Sequence, residues 1–447
     1  MVIGRSTAEA FFYSCKTRAT MEQAISSDNL QELDHMKKEC LTMSYKNKYP
    51  FVFLGGMLSW GEENIMYKGW PYWGMVAGNL CRQLRETDIE AYGVQVGPAN
   101  SAWDRACNLY AMMTGTTVDY GVAHSKAHKH DRYGRTYEKP LFEGWGKPMA
   151  DGGIKKVHLL GHSFGGATMR MLAELLTNGS EEERKATKDG SLSPLFEGGH
   201  GDMIASITAI SAPHDGTTFV HAFEPMMKVL TAGVLGMFAV LGNTPANKFY
   251  DNYMEQYHLT VPAGQTNYKN ILSPKQLLRI RNIIKTGDHV FHDLRIDIAS
   301  KINDFIHCSP DIYYFSVSGN GTKPAKDNPE NQVRAPIMIF AFIPFAKVMG
   351  KFPAQKIGDY YIDASWHAND GLVPTESGRY PHKEPHVMYE DVKNQPLKKG
   401  VWHVLPDYIA DHGTVIGGSL SYIGPGKPDI YRTYWRDHLD MLMTLEG

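Results

Sequence analysis

The sequence predicts an α/β fold with a mostly parallel central sheet flanked by helices. Three observations predict it. Short apolar runs end at glycine or proline, helical stretches alternate with them, and one run passes into a helix through a glycine-bounded serine turn. FVFLGG (51–56) is the first run, apolar throughout and stopped by glycines, as a buried parallel strand leaving for a loop would be. KKVHLLGH (155–162) repeats the pattern and feeds ATMRMLAELL, a strong helix former that closes at Asn178-Gly179. MIASITAISAP (203–213) is β-branched and stops at proline, and DIYYFSVSG (311–319) reads as a further strand.

Between about 219 and 310 the strand pattern lapses into a long, largely helical insertion. Within it, VLTAGVLGMFAVL from Val229 to Leu241 is the longest apolar run, and it is too short to span a bilayer as a helix. It reads either as a core helix or as an interfacial one. The first 47 residues are polar and charged, with ATMEQAISSDNLQELDHMKKEC readable as one amphipathic helix, and are taken as an N-terminal appendage. Residues 48–447 then form the main domain.

Composition bounds the function. With 43% hydrophobic and 21% charged residues and a formal net charge of −2, the 447-residue chain reads as an ordinary globular protein. It has no electrostatic footprint for nucleic acid or an anionic membrane. Cys15, Cys40, Cys81, Cys107 and Cys308 are few, odd in number and never spaced as C-x-x-C, which argues against both a thiolate metal site and a disulfide framework. The start, MVIGRSTAEAFFYSCKTRAT, lacks the apolar core of a signal peptide.

Gly161-His162-Ser163-Phe164-Gly165 fits the G-x-S-x-G nucleophile elbow. Such a serine sits on a strained strand-to-helix turn that only small flanking residues allow. The pattern alone is weak, and a tightly packed glycine turn would also produce it; the strand before and the helix after give it weight. The N–H of Phe164 would lie at the helix N-terminus, suited to a developing oxyanion. A second donor is expected from the loop FLGGMLSWG (53–61), with Met57 as its source.

In this arrangement the acid and then the base follow the serine in chain order. His412, in the glycine-bounded stretch YIADHGTVIGG, is the expected base; His403 and His438 are rivals, the first in a short apolar segment and the second read as a surface position on a late helix. Asp370, in HANDGLVPT, is the best-placed acid, although Asn-Asp-Gly is also a favoured turn, and Asp363 and Asp411 stay open. VAHSKAHKHDRYG packs His124, His128 and His130 among Lys126, Lys129 and Arg132. Composition favours a solvated loop there, with metal binding as the alternative.

The chain resembles the zinc-containing bacterial lipases of staphylococci and thermophilic bacilli. The segments that carry the resemblance are SAWDRACNLYAMMTGTTVDYGVAHSKAHKHDRYGRTY, KVHLLGHSFGG, SLSPLFEGGH, ISAPHDGTT, WHANDGLV, LKKGVW and DHGTVIG, in the family's order over roughly residues 48 to 440. The resemblance implies an α/β-hydrolase fold with a helical lid at about 219–285. It implies Ser163 as nucleophile, Asp370 as acid and His412 as base, with backbone donors at Met57 and Phe164. It also implies a zinc ion held by Asp104, His124, His130 and Asp288, with His128 outside the set. Two carboxylates and two imidazoles with no open position suit a structural ion.

Two departures from the family stand out. Gly55-Gly56 replaces a usual His-Gly, which would loosen the oxyanion loop. Thr414 and Ser419 stand where acidic calcium ligands are usual, so no family-type calcium site is expected. The implied activity is hydrolysis of long-chain lipid esters at a lipid–water interface, triacylglycerol first, with phospholipase A1 or general carboxylesterase action as alternatives. A catalytically inactive binding homologue and a zinc-dependent hydrolase centred on the histidines are the rival classes. No nucleic-acid partner and no transmembrane segment are expected, and the oligomeric state is left open. Relatives are typically secreted, whereas no signal segment is visible here, so location is left open too.

Overall fold

The computed structural model describes residues 45–150, 152–271, 273–388 and 396–447. Seven strands form one sheet: β1 (Phe51–Leu54), β2 (Ala91–Val94), β3 (Val157–His162), β4 (Ile204–Ile210), β5 (Tyr313–Val317), β6 (His386–Val387) and β7 (Trp402–Val404). Their spatial order is β6-β7-β5-β4-β3-β1-β2, and every pair is parallel. Phe51 lies opposite Ala91 on one side and His158 on the other, which places β1 inside the sheet rather than at its edge.

Alternation along the strands separates two cores. Val52, Leu54, Val157, Leu159, Ile207 and Ala209 face one, and Phe51, Phe53, Leu160, Ile210, Phe315 and Val317 face the other. Both faces are therefore covered, which is why these strands read as unbroken apolar runs rather than alternating ones. Helices α1 (Ala102–Thr114) and α3 (Phe164–Asn178) contribute to the first core, with α2 (Val122–His128) between them in the chain. Among the described residues the later helices of 13 residues or more are α4 (Glu224–Gly242), α5 (Pro274–Thr286) and α6 (Lys427–Met443). Trp435, Leu439 and Leu442 of α6 fill the second core.

The insertion is helical at its ends, while 243–271 runs mostly as loops and short 3-10 turns. Helix α4 corrects one expectation. Glu224 and Pro225 supply a first turn ahead of the apolar run, so the helix reaches 19 residues and is, by length and composition alone, long and apolar enough to cross a membrane. It is apolar on both sides: Met227, Leu235 and Phe238 are buried, whereas Met226, Val229, Leu230, Met237 and Val240 are exposed.

Of the N-terminal segment, residues 1–44, including the helix expected there, lie outside the described residues. Lys46 and Asn47 attach the chain to the end of α6. The Lys46 N–H donates to Met443 O, and the Asn47 amide donates to the carbonyls of Leu442, Met443 and Leu445. Asn47 Oδ1 also meets His158 Nε2 at 2.9 Å, and Ser206 Oγ meets its Nδ1 at 2.8 Å. His438, expected at the surface, is instead buried on α6, with Nε2 2.8 Å from Thr208 Oγ1.

Burial pushes the imidazoles of His158 and His438 down to about 3. Between that value and the ordinary one near 6.5, the unfolded chain binds the extra protons. Their contribution to stability is therefore complete above about pH 6.5 and is lost as pH falls towards 3, by up to ~1.4 kcal/mol per pH unit for each histidine. Urea midpoints should fall steeply from pH 6 to pH 4; a flat profile over that window would contradict this account.

Candidate active site and metal centre

Ser163 sits between β3 and α3 with φ 56° and ψ −132°, a conformation L-residues adopt only under strain, costing about 1–3 kcal/mol. The glycines around it are sterically required. A Cβ on Gly161 would come within 2.6 Å of the Gly165 backbone, and one on Gly165 within 2.5 Å of Leu54 O. Ser163 N donates to Ile210 O at 2.8 Å, so the turn is tied to β4. This is the elbow that the five-residue pattern predicted.

The loop after β1 lies directly against it. A Cβ on Gly56 would fall 2.6 Å from Ser163 Cβ and 3.0 Å from Phe164 N, so only glycine fits there. Gly56 O accepts from Ser59 Oγ at 2.8 Å and from Arg105 Nη1 at 3.4 Å. Peptide bonds are planar and none here is cis, so the N–H of Met57 must point away from that pair of donors. It has no acceptor among the described residues. The N–H of Phe164 begins α3 and has no intrahelical partner. Both expected donors are thus free for a ligand oxygen.

Arg105 escaped sequence reading. It is fully buried in α1, donates to Gly55 O at 2.7 Å, Gly97 O at 2.8 Å and Thr168 Oγ1 at 2.7 Å, and lies over the Phe164 ring at 5.5 Å. No carboxylate pairs with it among the described residues, and burial lowers its guanidinium to about 9, which leaves it charged at neutral pH. A charged residue in the alanine-rich start of a helix was the only local hint. The loosened loop expected from Gly55-Gly56 is not what the contacts describe. A side chain at 55 would meet Ser59 Cβ at 2.3 Å and Tyr72 Cε1 at 2.8 Å, and Ser59, Arg105 and Tyr72 do the tying instead.

His412 Nδ1 lies 2.7 Å from Asp370 Oδ2, both side chains buried, and the His412 N–H also donates to Asp370 O. Asp370 Oδ1 accepts from the N–H groups of Leu372 and Val373, at 3.0 and 2.8 Å, which fixes the carboxylate in the turn. The other two aspartates are committed elsewhere. Asp363 caps a short turn through Ser365, and Asp411 accepts from Ile339, Gly413 and Thr414. His403 is taken up in β7 by Tyr314 O and Lys398 N. Ser163 Oγ is partly open and has no hydrogen bond among the described residues, as is common before substrate arrives.

A second feature missed in the sequence is the apolar stretch Phe340–Met349. Its Phe342 ring lies 6.2 Å from His412 and packs where a Cβ on Gly371 would go, while Phe340 is 86% exposed. The run IMIFAFIPFAKVM was the available signal.

Asp104, His124, His130 and Asp288 converge, their ligand atoms all within 4.8 Å of one another. His124 Nε2 lies 3.1 Å from Asp104 Oδ1 and 3.4 Å from Asp288 Oδ2; His130 Nε2 lies 3.3 Å from Asp288 Oδ2 and 4.0 Å from Asp104 Oδ1. Tetrahedral ligands about 2 Å from one ion stand roughly 3.3 Å apart, so the set is close to the size a small divalent cation needs. Its chemistry fits as well. His130 Nδ1 donates to Asp131 O at 2.8 Å, which turns the Nε2 lone pair inward, and that Nε2 is buried without a hydrogen-bond partner. Gln256 Nε2 holds Asp104 Oδ2 at 2.7 Å and the Tyr257 hydroxyl donates to Asp288. Burial opposes charge on His124, yet the carboxylates of Asp288 and Asp104 raise its imidazole to about 10.

The antiparallel pair Thr117–Asp119 and Tyr133–Thr136 brackets this segment, and His124 on α2 and His130 just beyond it turn to Asp104 and Asp288, so the solvated-loop reading does not hold for these two. The His128 ring lies tilted against that of His124, centroids 4.3 Å apart, and stays 4.0 Å from Asp288, outside the four. Thr414 and Ser419 are engaged locally, Thr414 by Asp411 and Ser419 by Ser421.

A seven-stranded parallel sheet with a serine elbow at the end of β3 defines an α/β-hydrolase. The model of the lipase-like, C-terminal domain family matches residues 47–446, and the chain belongs to that family. It is 31% identical over 424 residues to Lipase 1 of Staphylococcus aureus (strain NCTC 8325 / PS 47), an alignment covering 92% of this chain and 57% of that protein. The chain thus spans little more than half the length of that relative. Among solved structures it is similar to Staphylococcus hyicus lipase, with a TM-score of 0.73 and 30% identity over 89% of this chain and 96% of that one. It is also similar to lipase 1 from Pelosinus fermentans, with a TM-score of 0.71 and 33% identity over 89% and 99% of the two chains.

Proposed function

We propose that this chain is a serine ester hydrolase that cleaves long-chain lipid esters, triacylglycerol foremost, through an acyl-enzyme. The observation that carries the reading is the buried His412–Asp370 pair, 2.7 Å apart, with the His412 ring 4.6 Å from that of His162, the residue before the elbow serine. Ser163 Oγ attacks the ester carbonyl as His412 Nε2 takes its proton, and Asp370 steadies the imidazolium. The N–H groups of Met57 and Phe164 receive the oxyanion. His412 then protonates the leaving alcohol, and water resolves the acyl-enzyme by the same steps in turn.

In this reading residues 48–447 form the hydrolase domain and about 219–285 act as a lid. Helix α4, apolar on both sides, covers the acyl site when closed and lies on a lipid surface when open. Asp104, His124, His130 and Asp288 would hold a zinc ion. Bound there, zinc would supply a cross-link between chain segments and take no part in ester chemistry. The lipase names of the relatives support the same substrate class.

Ser163→Ala should abolish turnover of a chromogenic long-chain ester while leaving the melting curve unchanged. Undiminished hydrolysis by that variant would sink the assignment. Acyl-chain profiles on triglyceride and phospholipid emulsions separate triacylglycerol lipase from phospholipase A1, and activity confined to soluble short esters would make the chain a carboxylesterase.

A further inference from the structure

We propose that Tyr72 and His162 are positioning residues for this reaction, forming one hydrogen-bond chain that joins the oxyanion loop, the elbow and the loop that carries the base. The inference rests on the assignment of Ser163 and His412 and deepens it.

The donors and acceptors along the chain are determined by elimination. His162 Nε2 lies 3.0 Å from His412 O, and a carbonyl can only accept, so Nε2 carries a proton. His162 is completely buried, and burial holds it neutral, so its Nδ1 has a lone pair and accepts from the Tyr72 hydroxyl at 2.7 Å. The Tyr72 oxygen then accepts the Gly56 N–H at 3.3 Å. Every joint has one donor and one acceptor, with no conflict along its length.

The chain matters because of what it connects. Gly56 precedes Met57, His162 precedes Ser163, and His412 is the base. These three segments lie far apart in sequence, and the chain bonds each to the next. Misplacing a reacting group by about 1 Å can cost two orders of magnitude in rate. Gly56 is now held on two sides, with its carbonyl on Ser59 and Arg105 and its N–H on Tyr72. The Tyr72 ring, with Ser59, also fills the space beside Gly55, where an added Cβ would meet Ser59 Cβ at 2.3 Å and Tyr72 Cε1 at 2.8 Å.

Tyr72→Phe tests this, since the ring keeps its edge contacts with Trp60 and Trp73 while both joints are lost. The expected result is a 10- to 100-fold lower kcat on a chromogenic long-chain ester, with KM within about two-fold. Labelling of Ser163 by an activated fluorophosphonate should slow in parallel. His162→Gln, whose amide nitrogen can still reach His412 O, should retain more activity than His162→Leu. A Tyr72→Phe protein that melts lower yet keeps wild-type kcat and labelling rate would overturn the proposal, as would equal activity in the two His162 variants. Failure of the underlying site assignment looks different: wild type would not label at Ser163 at all.

Discussion

Asp370→Asn should lower kcat by about four orders of magnitude with little change in KM or melting temperature. The reason lies in how the carboxylate is shared. Its Oδ1 already accepts two backbone N–H groups, from Leu372 and Val373, and Oδ2 accepts the proton on His412 Nδ1. An asparagine here would keep its single carbonyl oxygen on the two backbone donors, because turning it over would set its NH2 group against them. The NH2 group then faces His412 Nδ1, which must become the acceptor. The imidazole proton moves to Nε2, the atom that has to take the serine proton, and the base is lost by tautomer rather than by distance. Asp363→Asn and Asp411→Asn serve as controls. Their carboxylates bind turn residues and not His412, so each should leave the rate within about ten-fold. If Asp411→Asn fell as far as Asp370→Asn, the acid would have to be reassigned.

The parts of the site that were legible in the sequence are those whose geometry is local. The elbow is one contiguous strand, turn and helix, so its glycines and its apolar run carry the whole signal. The same holds for β1, β3, β4 and β5, each readable as a run buried on both faces. Strands β2, β6 and β7 are two to four residues long and have too few positions to show a period. The acid and base were open among several candidates because each lies in a turn, and turn residues advertise the turn before the chemistry. Chain order and turn context put His412 and Asp370 first, and the resemblance then set them apart from their rivals.

The histidine cluster shows the opposite failure. Lys126, Lys129 and Arg132 made the segment look solvated, but Asp104 and Asp288, one upstream and one far downstream, draw His124 and His130 inward. Arg105 and Tyr72 were illegible for a similar reason. Their partners, backbone atoms of loops together with the side chains of Thr168 and His162, are remote in sequence and leave no trace in composition. His438 read as exposed because a helix near the end of a chain usually has a wet face; here Thr208 in the middle of the sheet offers it a partner.

With zinc held by Asp104, His124, His130 and Asp288 as proposed, removing it should lower the melting temperature by roughly 10 °C and release about one zinc per chain, while Ser163 still reacts with a fluorophosphonate in the protein that remains folded. The ligands explain the size of the effect. Asp104 lies in the first turn of α1, His124 on α2 and His130 just beyond it, between the two short antiparallel strands, and Asp288 two residues beyond α5 at the far end of the insertion. One ion held by these four residues would therefore join three segments otherwise linked through long stretches of chain, and taking it away would leave two buried carboxylates facing each other. Asp288→Ala removes one ligand and should reproduce most of the loss without a chelator. The site is also next to the chemistry in one respect. Asp104 binds on one side of α1 while its neighbour Arg105 holds the carbonyls of the oxyanion loop. A metal-free protein should therefore lose ester turnover gradually, in step with loosening of α1, and not at the moment the ion leaves. Immediate and complete loss of turnover at a temperature where the fold persists would instead place the ion in the reaction and favour a zinc-dependent hydrolase.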